Sequence, residues 1–440
     1  MSSSTRAPQI LVIGFGAVGS IYALALEKAG AEVTALCRSN YNQVKENGLD
    51  IHSAKFGDHP GWKPHRVIKS PEEAREQYFD YVICTFKCIP DLDPTSQTIQ
   101  PYLRNPADFP NEPVPESGLP CIVLMQNGVG TEQEPYETLV LQAGLAGSVI
   151  SAVVWVTSNL LDGGKRVEHG SLERLSLGVF PSPLSAACAK LQSESKIKLE
   201  VDRTPDESKS QARLDTLVKL LKDGGATPQP SDDVQPYRWK KLLWNAAWGA
   251  VSTVARQPVA QLVTEASLHY TVSCVRRLML EVLYVGRACG LNEDVFPASS
   301  VDDALHVTLD MRDVPQSAQA SASLKKSGNE AVSGQTSEEK PASPRSAKHS
   351  MSPDFKPSLL MDLESGRPME LLPIIGNVIE LARIHGVETP RLDLIMAALR
   401  PSQVQAIEAA RIKWGNSAKT AEDEGNVKGP ALEGVPVSTD

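Results

Sequence analysis

"ILVIGFGAVGSIYALALEKAGAEVTALCRSN", residues 10–40, decides the fold. An apolar run, "ILVI", leads into Gly14-Phe15-Gly16-Ala17-Val18-Gly19, and the helix-patterned "AVGSIYALALEKAG" follows. Between a strand and a helix, G-x-G-x-x-G has a mechanical reading. The first glycine makes a tight turn, the second lets a pyrophosphate approach the backbone, and the third lets helix pack on strand. The free N–H groups and positive dipole end of the helix then face the phosphates. The alternative is a glycine-rich turn with no ligand, and the flanking strand and helix favour the dinucleotide reading over it.

The next strand, "EVTALC", sharpens the cofactor. An NAD enzyme places an acid near the end of this strand to hold the ribose hydroxyls. Here the chain reads Arg38-Ser39-Asn40, and Glu32 lies at the wrong end of the strand. A guanidinium suits a 2′-phosphate in charge and in fork geometry, so NADPH/NADP is the expected cofactor. Otherwise Arg38 is a solvated surface charge.

From Gln9 to about Asp233 the apolar runs "QILVIG", "AEVTALC", "DYVICTF", "CIVLMQNG", "SVISAVVWV" and "RLSLGVF" alternate with amphipathic ones. That rhythm predicts an α/β Rossmann domain with a mainly parallel sheet over residues 1–233. From Val234 the spacing turns helical, predicting an all-α domain over 234–419. The Ser-, Lys-, Glu- and Pro-rich stretch 314–353 interrupts it and is expected to be disordered, as is the tail 420–440. Thr138–Leu161, free of charge, is broken by Gln142, serines and glycines and reads as buried sheet with turns, not a membrane span.

Composition narrows the partners. A net charge of −9 argues against nucleic acid, which selects basic surfaces. Seven cysteines without a CxxC pair suit a reducing compartment and not a disulfide framework. The residues ahead of the first apolar run are too few for a secretory signal, so a cytoplasmic protein is expected, with the mitochondrion left open. Eight histidines show no metal spacing. No membrane partner is expected, and a homodimer is left open.

Further candidates stand at strand ends and on one helix. Lys87 follows "DYVICTF", and Asn127 lies in "QNGVG". In "YRWKKLLWNAAWG", Lys241 and Asn245 share a helix face at i, i+4. A lysine among Trp, Leu and Ala is partly desolvated, which lowers its pKa and suits proton transfer. By pattern alone, a snorkelling surface lysine is the stronger reading of Lys241.

Together with "KPSLLMDLESGRPMELLPIIGNVIELARIHGVETP", residues 356–390, these segments resemble the ketopantoate reductase (2-dehydropantoate 2-reductase) family from residue 9 to about 400. The resemblance implies a Rossmann domain, a helical domain and a site between them, where NADPH reduces a small-molecule 2-oxo acid, ketopantoate, to (R)-pantoate for pantothenate and coenzyme A synthesis. It implies Lys241 as general acid and Lys87 as a cofactor contact. Asn127 would lie at the nicotinamide and substrate, Asn245 and Ser358 at the substrate, and Glu370 at both ligands. Glu281 resembles a further active-site glutamate or is a helix-surface carboxylate. Two amides the family carries are replaced by Gly249 and Val259, which implies a larger, less polar pocket and leaves another 2-oxo acid or ketone open. A non-catalytic NADP(H) sensor is the rival reading, and it has no use for a proton donor at Lys241.

Overall fold

The computed structural model describes residues 6–109, 118–185, 205–312 and 354–418. The expected disordered stretches 314–353 and 420–440 lie outside these residues. One ten-stranded sheet organises the first half: β1 (Gln9–Ile13), β2 (Glu32–Leu36), β3 (Leu49–Ser53), β4 (Gly57–Trp62), β5 (Arg66–Ile68), β6 (Tyr81–Cys84), β7 (Cys121–Leu124), β8 (Ser148–Leu161), β9 (Arg166–Phe180) and β10 (Pro228–Pro230). The order is β4-β3-β9-β8-β7-β6-β1-β2-β5, with β10 on β9. Every pairing is parallel except β8 with β9 and β3 with β4. The mainly parallel sheet read from the sequence is therefore present, joined to a helical second half.

The central strands are apolar throughout because both faces are covered. Ile10, Val12 and Ile83 enter one core with α1 (Ala17–Lys28) and α2 (Glu207–Asp223), while Leu11, Ile13 and Val82 enter another on the opposite face. The order reverses between β1 and β6, so their carboxyl ends open a crevice, the usual ligand position in such sheets. Two differences from the sequence pattern have plain causes. β3, β4, β5 and β10 are short, partly exposed strands without continuous apolar runs, so hydrophobicity does not announce them. Within Thr138–Leu161 the first turn belongs to a wide helix, Tyr136–Gln142, that buries Leu139 and Val140, and strand begins at Ser148.

At the crevice the glycine loop behaves as its spacing requires. Gly14 has φ 96°, and a Cβ there would lie 2.3 Å from the Phe86 backbone nitrogen. A Cβ on Gly19 would meet the Gly14 carbonyl oxygen at 2.5 Å, whereas one on Gly16 would meet nothing within 4 Å. Open space thus lies above the start of α1, where Ala17 and Val18 are only partly buried.

The second half is helical: α3 (Gln235–Trp244), α4 (Ala250–Ala255), α5 (Glu265–Ala288), α6 (Ser299–Arg312), α7 (Ser358–Glu364), α8 (Asn377–His385) and α9 (Pro390–Ala418). A wide π-turn, Asn245–Gly249, joins α3 to α4, and another, Leu372–Gly376, leads into α8. α8 ends at Gly386 in the left-handed conformation, which glycine adopts without strain. Trp239, Trp248, Met279, Phe296, Ile375 and Leu392 share one core. Among the described residues no helix is long and apolar enough to cross a membrane.

Gly14→Ala should cost on the order of 1–3 kcal/mol, because it combines left-handed strain with a backbone clash. Gly16→Ala should cost much less, since its Cβ enters open space. Urea midpoints of the two variants check the contrast.

Candidate active site

Lys241, Asn127 and Glu370 form one hydrogen-bonded line across the two halves. The Lys241 ammonium donates to Asn127 Oδ1 at 2.8 Å and to the Val154 carbonyl at 2.5 Å. Asn127 Nδ2 donates to Glu370 Oε2 at 3.0 Å, and Glu370 Oε1 accepts the Cys88 backbone N–H at 3.2 Å. Glu370 is only 3% exposed, so these donors answer the cost of burying a carboxylate. Burial pulls the Lys241 pKa down to about 8; the Glu370 carboxylate opposes this and the Arg238 guanidinium adds to it. Lys241 and Asn245 line a small cavity with Gln126, Asn127 and Val153, so the shared helix face read from the sequence is real. No described residue holds the Asn245 amide.

The Asn127 loop is clamped by the helical half. Arg238 and Glu132, 3% and 1% exposed, pair through Nε and Oε1 at 2.8 Å. Arg238 Nη1 also donates to the Gln126 and Gly128 carbonyls, each at 2.9 Å, and Nη2 to Ser151 Oγ at 2.7 Å. Gly128 has φ 91°, and a Cβ there would lie 2.3 Å from the Pro373 carbonyl oxygen. Val129 N donates to that carbonyl at 2.9 Å, and Asn377 Nδ2 donates to Val129 O at 2.7 Å. Gln403, fully buried on α9, accepts from Met369 N and donates to Met369 O, fixing the residue beside Glu370.

The other candidates fall into two groups. Gly14, Phe15, Gly16, Ala17, Val18 and Gly19 edge the crevice, and Arg38 stands exposed just beyond β2. Burial pushes the nearby Tyr102 up to about 12, with the Arg38 charge pulling the other way. Asn40, buried, donates to the Phe15 carbonyl at 2.9 Å and so braces the glycine loop. Lys87 pairs with Asp362 of α7, whose other oxygen accepts Arg367 Nε at 3.2 Å. Ser358 opens α7, exposed, four residues before Asp362; no hydrogen bond joins it to the Lys241 line.

Three expectations change. Glu281 is no site residue: its carboxylate accepts Arg391 N, Leu392 N and Arg391 Nη1, so it anchors the start of α9. Val259 is fully buried in the helical core and does not line the cavity. Gly249 is likewise buried and outside the cavity lining, with Pro357 Cβ 3.8 Å from where its Cβ would be. Cys84 and Cys88 are buried, and burial holds the Cys88 thiol up at about 12. Among the described residues no cluster could hold a metal. Arg238 and Glu132 escaped the sequence reading. The visible signal was an arginine three residues before Lys241 on an apolar helix.

Family models settle the relationship. The model described as Ketopantoate reductase PanE/ApbA matches residues 10–182, and its C-terminal counterpart matches residues 233–403. The chain belongs to the ketopantoate reductase family. It is accordingly an oxidoreductase acting on a CH–OH/C=O group. An uncharacterized protein of Saccharomyces cerevisiae is 25% identical over 94% of this chain and 99% of its own length. A 2-dehydropantoate 2-reductase of Nostoc sp. is 24% identical over 88% of this chain and 93% of its own. The structure of the 2-dehydropantoate 2-reductase from Methylococcus capsulatus aligns with TM-score 0.61 at 23% identity, over 90% of this chain and 97% of that one. A D-mandelate dehydrogenase with NADH and anilino(oxo)acetate aligns with TM-score 0.59 at 15% identity, over 90% and 99%. These structural likenesses establish the fold.

Arg238→Met should cost about 3–5 kcal/mol, because Glu132 is left buried without its counter-charge. Arg238→Met combined with Glu132→Gln should recover part of that loss, as read from chemical denaturation.

Proposed function

We propose that the protein reduces a 2-oxo acid with NADPH, ketopantoate to (R)-pantoate being the leading reaction. The observation that carries this reading is the Lys241 ammonium. It has three N–H donors, and Asn127 and Val154 take two, which leaves one for a substrate oxygen in the cavity. The glycine loop fits a dinucleotide, because Gly16 borders open space at the start of α1 and Arg38 stands exposed at the end of β2. When bound there, NADPH supplies hydride to the ketone carbon. As that bond forms, the C=O π pair moves onto oxygen, and Lys241 gives the oxygen a proton. An acid with a pKa near the working pH is suited to that transfer.

Glu370 holds the Asn127 amide so that its Oδ1 faces the ammonium. In this reading residues 1–233 bind cofactor and 234–419 complete the substrate side. Lys87 would turn from Asp362 toward the cofactor, and Asn245 and Ser358 would meet the substrate. Gly249 favours a second reading, reduction of another 2-oxo acid or ketone. The connected Lys241–Asn127–Glu370 line speaks against a mere NADP(H) sensor.

Lys241→Ala should leave NADPH binding intact and lower turnover by roughly 10²–10⁴-fold. In the wild type, ketone reduction should fall as pH rises through about 8, where Lys241 loses the proton it must donate. The reverse oxidation should rise over the same range, because the neutral amine is then the base. Lys241→Ala should abolish both limbs in the pH–rate profile, measured with NADPH against a panel of 2-oxo acids.

Arg38→Ala should weaken NADPH by about ten- to a hundredfold and leave NADH nearly unchanged, as titrated by cofactor fluorescence.

A further inference from the structure

Trp155 joins the reactive lysine to a second cation. It follows Val154, whose carbonyl holds Lys241, and the ammonium lies 5.8 Å from the indole centroid. On the neighbouring strand Arg174 pairs directly opposite Trp155, and its guanidinium lies 5.3 Å over the same ring. Side chains two apart on a strand share a face. Trp155 and Arg174 therefore continue the face on which Val153 lines the Lys241 cavity. Trp155 is half-buried and Arg174 exposed, so this face runs from the cavity outward to solvent.

The charges around the cleft are unequal in their partners. Asp362 neutralises Lys87 and Glu132 neutralises Arg238. Arg174 has no carboxylate partner among the described residues. A 2-oxo acid brings a carboxylate beside the carbonyl that is protonated, and that charge needs donors. The helix side offers Asn245, while Gly249 offers no amide and Val259 is sealed in the core.

We propose that Arg174 anchors the carboxylate of the substrate and that Trp155, between Arg174 and Lys241, is the wall against which the carbonyl substituent lies. Both are then specificity-determining residues, and they select 2-oxo acids over neutral ketones. The proposal rests on the reductase reading above. A guanidinium on a carboxylate is a charge-assisted, bidentate contact, and the indole beneath Arg174 holds that fork in place.

The test uses the full chain with NADP bound and oxamate, a 2-oxo acid isostere that is not reduced, as the probe. Arg174→Met should weaken oxamate by about ten- to a hundredfold and leave NADP affinity unchanged. Arg174→Lys should recover part of the loss, and Lys240→Met, a control for surface charge, should lose little. In turnover, Arg174→Met should raise KM for 2-oxo acids and leave KM for their methyl esters unchanged. Oxamate binding that is absent in the wild type, equal in Arg174→Met, or lost equally in Lys240→Met overturns the anchor. If oxamate responds as expected but no 2-oxo acid is reduced, the anchor stands and the reductase reading falls.

Discussion

The ion pair between Arg238 and Glu132 is the constraint on which the site depends. Two charges taken out of water cost several kcal/mol each, and attraction between them offsets this only when the remaining donors and acceptors are also satisfied. Here Arg238 spreads its other donors over the Gln126 and Gly128 carbonyls and Ser151, and Ser151 in turn donates to Glu132. The arrangement admits one docking of α3 on the sheet. In that docking Lys241, one turn beyond Arg238, meets Asn127, one residue beyond Gln126.

From this seam the other side of the cleft follows. The segment after β6 touches the helical half at three residues: Lys87 on Asp362, the Cys88 N–H on Glu370, and Asp91 on Arg400 and Arg411 of α9. Glu370 is thus held from the sheet by Cys88 and Asn127, and from behind by the grip of Gln403 on Met369. A carboxylate fixed on both sides keeps one orientation, so the amide it holds presents its oxygen to the lysine.

Much of this was legible in local pattern. The glycine loop, the central strands and the i, i+4 pairing of Lys241 with Asn245 all depend on spacing within one element, which a sequence displays. What was hidden depends on distance along the chain. Glu132 and Arg238 are far apart, and nothing local marks either as buried. The Val154 carbonyl and the Cys88 N–H carry no residue identity at all. Glu281 and Val259 misled for a related reason: family spacing locates a residue in an alignment, whereas the start of α9 and the helical core decide what each side chain meets.

The clamp on the Asn127 loop also sets a schedule. Gly128 and Val129 leave the ribosome long before Pro373 and Asn377, and Asn377 follows Val129 by 248 residues. At ordinary elongation rates that interval lasts roughly 10–50 s. Through that time the nascent sheet carries a loop without Pro373 and Asn377, held on the helical side by Arg238 and Lys241 of α3. The catalytic line therefore closes only once Glu370 has been made, after every described strand of the sheet.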